Sequence, residues 1–204
     1  MSAEELFQAV EDQDLDRLTT ILEAGQNPNV HEADLGGWTP LHHAIEDLDD
    51  GGPLEAVRVL IEHGAEVDRW DTPRSSTPLI IAVANGRIDA ARLLLEAGAD
   101  PNVMGEGTET PLLMAVGERS YQLVKLLLEF GAAQEIDHYG GDTGMTALGI
   151  ATSQLDLELV KLLLEAGADV DATDDEHKLA RQHAPTLTED NRSSWESVMR
   201  ILNG

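Results

Sequence analysis

A chain of 204 residues, 42% of them hydrophobic, holds enough apolar material for a folded domain and too much for a disordered one. Its formal charge of -26 sets it against nucleic acid and anionic membrane, polyanions that need Lys and Arg to release their counterions, so neither is an expected partner. Disulfides, thiolate metal sites and cysteine nucleophiles are excluded, because there is no cysteine.

The start, Met1-Ser2-Ala3-Glu4-Glu5-Leu6-Phe7, carries acids where a secretory signal would carry Lys or Arg, and no long apolar run follows it, which predicts a cytoplasmic protein. The acidity has two readings: a complement to a basic protein partner, or a solvating surface suited to a salty cytosol.

Taken in chain order, Thr39-Pro40-Leu41 recurs as Thr77-Pro78-Leu79, Thr110-Pro111-Leu112 and Thr146-Ala147-Leu148. Each is followed by an apolar run closed by glycine: Val59-Leu60-Ile61-Glu62-His63-Gly64, Leu93-Leu94-Leu95-Glu96-Ala97-Gly98, Leu126-Leu127-Leu128-Glu129-Phe130-Gly131 and Leu162-Leu163-Leu164-Glu165-Ala166-Gly167. Thr is a competent N-cap and Pro fits the first helical position, so each Thr-Pro opens a helix. The glycines stand where a left-handed residue ends the second helix. Asn85-Gly86 marks a tight turn between helices, whereas the first unit has the longer Asp47-Leu48-Asp49-Asp50-Gly51-Gly52-Pro53. That insertion breaks the period.

Thr-Pro-Leu-His at 39 to 42 and Leu-Leu-Leu-Glu-Ala-Gly-Ala-Asp at 93 to 100 resemble the ankyrin repeat, whose period is about 33 residues. The resemblance implies an all-α fold, a solenoid of stacked helix-turn-helix units with projecting hairpin fingers. It divides a single domain over 1–204 into an N-terminal capping repeat and finger (1–37), four central repeats (38–76, 77–109, 110–145, 146–178) and a degenerate C-terminal cap (179–204). Leu6, Ala9, Val10, Leu18, Ile21, Leu22 and Gly25 fit the first cap. Ala184 and Trp195 to Leu202 fit the last, a worn cap, while 185 to 194 read as an exposed loop. Only His42 keeps the family histidine; Ile80, Leu113 and Gly149 replace it, which predicts a weaker hydrogen-bond network in three units.

Packing explains the repeated Leu, Ile, Val and Ala, so function is sought elsewhere. The resemblance places a partner on a concave face lined by the fingers, residues 29–38, 68–76, 102–109 and 136–145, and by the first helices. Trp38, Trp70 and Tyr139 fall in fingers, and Trp and Tyr are frequent interface anchors. The competing reading packs Trp38 against a neighbouring hairpin and Trp70 on its own loop. Arg74 and Met104 are further finger candidates. Arg58, Arg92, Lys125 and Lys161 each precede a Glu by four residues and are expected to form surface pairs with Glu62, Glu96, Glu129 and Glu165 on the outer helices. Glu32, Asp34, Glu46, Asp47, Asp49, Asp50, Glu106, Glu109, Glu118 and Asp142 are then largely unopposed on the finger side.

Chemistry finds little support. The seven His residues show no metal-ligand spacing, and Gly140-Gly141-Asp142-Thr143-Gly144 lacks the lysine of a phosphate loop. No cofactor, metal or catalytic residue is expected. The chain reads as a binding module for a protein, a basic one by charge, monomeric when unbound. An inhibitor or immunity-type role is preferred over a regulatory adaptor or scaffold, and the reading from another class is a structural, salt-adapted repeat domain of a larger protein.

Overall fold

A Thr-Pro start spares the helix one unsatisfied amide, and a glycine after the last turn accepts the positive φ that ends it. A computed structural model, which describes residues 3–31, 37–71 and 76–203, shows the helices that these signals predict, in consecutive pairs. They are α1 (Ala3–Glu11) with α2 (Leu15–Glu23), α3 (Pro40–Glu46) with α4 (Leu54–Glu62), α5 (Pro78–Ala84) with α6 (Ile88–Glu96), α7 (Pro111–Gly117) with α8 (Tyr121–Glu129), and α9 (Ala147–Ser153) with α10 (Leu157–Glu165). A sixth pair joins a single 3-10 turn, Ala180–His183, to α11 (Arg192–Leu202). Thr77, Thr110 and Thr146 accept the amides of Ile80, Leu113 and Gly149 at 3.3, 3.3 and 3.1 Å. Gly25, Gly64, Gly98, Gly131 and Gly167 all take φ between 86° and 104°.

The chain forms two compact units, Met1–Gly105 and Glu106–Gly204. In the first, α1 packs on α3 and α3 on α5, while α2 packs on α4 and α4 on α6. Leu6, Leu18, Leu41, Ile45, Leu60, Leu79 and Leu94 fill its core with essentially no exposed surface. In the second, α7 packs on α9, α9 on the 3-10 turn and α10 on α11, around Leu123, Leu127, Leu148, Leu159, Leu163 and Val198. Successive pairs within a unit are also tied through their loops: Asn29 accepts the Glu66 amide, Asp68 that of Asp100 and Asp137 that of Asp169, at 2.8 to 3.0 Å.

Three expectations change in detail. The finger at 136–145 carries a two-residue antiparallel ladder, β1 (Tyr139–Gly140) with β2 (Met145–Thr146), pairing Tyr139 with Thr146 and Gly140 with Met145. Its glycines serve packing, for a Cβ at Gly140 would overlap the Thr108 carbonyl. The loop expected over 185–194 ends earlier, because Thr188 and Asn191 exchange side-chain and main-chain hydrogen bonds and helix starts at Arg192, with residues 192–194 still exposed. None of the four expected i,i+4 ion pairs forms. In each the cation precedes the acid, the less favourable order on a helix. Arg58 instead reaches back to Glu55 at 3.3 Å and Lys125 crosses to Glu158 at 3.8 Å, while among the described residues Arg92 and Lys161 make no ion pair.

Candidate functional site

Each first helix leaves its finger and runs for seven residues, roughly 10 Å, to the turn that precedes the second helix. Acids at those turns therefore sit at the end of the pair away from the fingers. Glu46, Asp47, Asp49, Asp50 and Glu118 belong there, which corrects their placement on the finger side. They are not all unopposed either: Asp49 pairs with Arg87, and Glu46 accepts the Asn85 side-chain amide at 3.2 Å. Asp47 is half-buried; burial first, then the neighbouring Asp50, Glu11 and Glu46, push its pKa above the ordinary carboxylate value against the pull of His43.

On the finger side of the first unit, Trp38 is half-buried and held on three sides. Its indole N–H donates to Asp71 Oδ2 at 2.8 Å, and its ring stacks on His42 and meets His43 edge-on, at centroid distances of 6.0 and 5.0 Å. Asp71 is 2% exposed and accepts also from the Ser76 amide, closing the base of that finger. His42 is fully buried: its Nδ1 accepts from the Thr39 amide at 3.2 Å, and its Nε2 donates to the Arg69 carbonyl at 3.1 Å. Both ring nitrogens are thus committed in a neutral imidazole. Burial lowers its pKa to about 4, although the charge of Asp71 pulls the other way.

Beyond this anchored base the fingers expose large apolar side chains. Trp70 is 41% and Met104 40% exposed. In the second unit Tyr139 is 44% exposed and lies parallel to His138, whose Nε2 donates to the Thr108 carbonyl at 3.0 Å. Glu109, half-buried at the end of the 102–109 finger, has its pKa raised by burial and then by the charge of Asp142 on the 136–145 finger. Glu106 and Asp142 are exposed. Arg74, Glu32 and Asp34 lie outside the described residues.

Two buried carboxylates that sequence reading missed organise the second unit. Asp156, 3% exposed at the N-cap of α10, accepts from Arg119 at 2.7 Å, from the Tyr121 hydroxyl at 2.5 Å and from the Leu159 amide at 3.1 Å. Burial alone would raise its pKa; the hydrogen bonds from Tyr121, Leu159 and Arg119 outweigh that and hold it below the usual carboxylate value. Asp174 accepts from His183 at 2.5 Å and from the amides of Glu176 and Lys178, with the same net direction. The His183 ring also accounts for Gly149, where a Cβ would stand 3.3 Å from it. The only sequence signal for Asp156 was its position before a helix, since its partners lie 35 and 37 residues away.

Among the described residues no group of three or more His, Asp or Glu is placed to hold a metal ion, and no helix is long and apolar enough to cross a membrane.

With this geometry in place, the comparisons agree on one family. Its model, described as ankyrin repeats in three copies, matches residues 6–105 and 103–174. The chain is 31% identical over 98 residues to ankyrin repeat and SOCS box protein 2 of Bos taurus, which covers 48% of this chain and 14% of that protein. It is 35% identical over 83 residues to the 2-5A-dependent ribonuclease of Homo sapiens, covering 41% and 10%. The chain thus spans a small part of these relatives. The crystal structure of EF0377, an ankyrin repeat protein, superposes with a TM-score of 0.80 at 27% identity, covering 100% of this chain and 98% of that one.

Proposed function

The chain belongs to the ankyrin-repeat family, whose repeats generally mediate protein–protein interaction, and we propose that it binds a basic protein through its fingers and the adjoining first helices. The observation that carries this reading is where apolar surface remains. Of the four large hydrophobic side chains that stand exposed among the described residues, Trp70, Met104 and Tyr139 are on fingers, and only Leu187 is not. Scattered exposed apolar residues need no explanation, but aromatic ones on loops whose bases are anchored are the usual form of an interface anchor.

Roles follow from the surroundings of each residue. Trp70 and Tyr139 are the anchors, and Met104 is an adaptable contact. Trp38, already engaged by Asp71, His42 and His43, positions its finger. Asp142 raises the affinity of Glu109 for positive charge, and with the Tyr139 ring close to Asp142 in sequence the two acids suit a partner Lys or Arg, which an aromatic face also attracts. Glu106 adds to the same field. The chain's charge of -26 steers a cationic protein toward it and favours covering such a surface, as an inhibitor or immunity protein does, over holding several neutral partners.

The test is binding kinetics against the protein captured from native lysate. Trp70→Ala and Tyr139→Ala should each speed dissociation tenfold or more, on the order of 2 kcal/mol. Glu109→Gln with Asp142→Asn should slow association and flatten its salt dependence. If neither aromatic substitution alters dissociation but changes at Arg92 or Lys161 do, the partner binds the outer helices and the reading fails.

A further inference from the structure

The insertion Asp47–Pro53 is left without a role by the finger reading, yet it is a built structure. Asp47–Asp50 form a 3-10 turn, Gly51 takes φ 89°, and the Gly52 amide donates to the Asp47 carbonyl at 2.8 Å, so close that a Cβ at Gly52 would meet that oxygen at 2.8 Å. The loop is fastened to the turn between α5 and α6 by the Asp49–Arg87 ion pair and by the Asn85 amide on Glu46. Between loop and turn lies an open cleft of about 320 Å³ with Leu48 and Leu54 on one wall and Ile88 on the other, all three half-buried.

The electrostatics of this end of the first unit are one-sided. Asp89 lines the cleft and Asp50 stands exposed on the adjoining loop, while Arg87, the lining cation among the described residues, is engaged by Asp49. Arg17 and Arg58 are likewise committed, to Asp12 and Glu55. An apolar slot with a net negative rim selects a ligand that is apolar at its centre and positive on both sides. Its volume is at the lower end of the ~300–1,000 Å³ of small-molecule sites, enough for a side chain and too small to enclose a large cofactor. Because Gly51 and Gly52 fix the wall in advance, little ordering is required on binding.

We propose that this cleft is a second docking site, apart from the fingers, for a protein segment that presents one aliphatic side chain between Lys or Arg residues. The aliphatic group enters between Leu48, Leu54 and Ile88; the flanking cations meet Asp50 and Asp89. The site does not depend on the finger interface, since the two lie at opposite ends of the helix pairs.

The experiment titrates the full-length, isotopically labelled chain with a five-residue peptide, leucine between two lysine pairs, and follows backbone amide resonances. Saturable shifts centred on Leu48, Leu54 and Ile88 are expected, with affinity falling about tenfold when serine replaces leucine in the peptide and again in the Leu48→Ala variant. Should Leu48→Ala lose its folded spectrum, the exposed pair Asp50→Lys with Asp89→Lys serves instead and should abolish the shifts. The proposal is overturned if the shifts centre on Trp70, Met104 or Tyr139 and the cleft stays silent, if the serine peptide binds equally well, or if no shift occurs. Failure of the finger reading would register at those other residues and leave the cleft result standing.

Discussion

The two compact units solve one problem with different chemistry. Each must tie a polar group in a finger or turn to the neighbouring helix pair without leaving it unsatisfied. The first does so around a neutral imidazole and an indole: His42 spans from Thr39 to Arg69, and Trp38 satisfies Asp71. The second uses ionised carboxylates, Asp156 with Arg119 and Tyr121, and Asp174 with His183. A shared backbone plan therefore does not impose a shared polar device. It demands only that the buried group be paired, and the response to mutation and to pH should differ between the units accordingly.

The largest effect should come from Asp156→Ala. It removes an N-cap, leaves the buried Leu159 amide unpaired and breaks the hydrogen bonds from Arg119 and the Tyr121 hydroxyl, so unfolding by urea should show a loss of about 2–4 kcal/mol, less than for a wholly buried pair because Arg119 is half exposed and water can take the place of its partner. A loss below about 0.5 kcal/mol would mean that the network contributes little and that α10 is held by its leucines alone.

Acid should separate the units next. His42 has its pKa lowered to about 4 in the fold from 6.5. The unfolded chain therefore takes up the proton first, and stability that is fully present above pH 6.5 is lost as the pH falls toward 4. Asp156 and Asp174 have lowered carboxylate pKa values, so their contribution is present above the ordinary carboxylate range and is lost only below it. Asp47 and Glu109 oppose both, since raised pKa values make protonation stabilising as the pH drops. The difference between the native chain and His42→Leu cancels these other groups. Between about pH 7 and 4.5 it should move against the native chain by about 2–3 kcal/mol. A pH-independent difference would contradict the buried neutral imidazole. Leucine is tolerable there because the equivalent positions already hold Ile80 and Leu113, buried at 4% and 3% exposure.

The smallest effect is expected on the outer helices. Lys161→Ala removes a cation with no ion-pair partner among the described residues and should change the unfolding free energy by less than about 0.5 kcal/mol. A larger loss would show that the outer face carries structure not accounted for by its ion pairs.

The helix pairs were legible because their signals are local: a Thr cap, a Pro at N1 and a closing glycine each act within one turn. The candidate anchors were legible for a related reason, as aromatics are scarce in this chain and conspicuous outside the apolar runs. What escaped the sequence is non-local. Asp156 shows only as a helix cap until the fold brings Arg119 and Tyr121 to it. The acids at the helix turns were misplaced because a string of residues has no direction in space until the helix length is followed from the finger to the far end. The ion pairs failed on order, with the cation N-terminal to the acid. His183 behind Gly149 is the opposite case, a departure from the repeat pattern that becomes intelligible only when the last turn packs against it.

The central claim is that the finger tips meet a protein partner, and site-specific photo-crosslinking tests it even while that partner is unidentified. A benzoylphenylalanine would be placed singly at position 70, 139 or 92 of the full chain, irradiated in native lysate and followed by gel shift and mass spectrometry. Positions 70 and 139 should capture the same basic protein, and position 92, on an outer helix, should capture nothing specific. A specific adduct at position 92 with none at 70 or 139 would contradict the account.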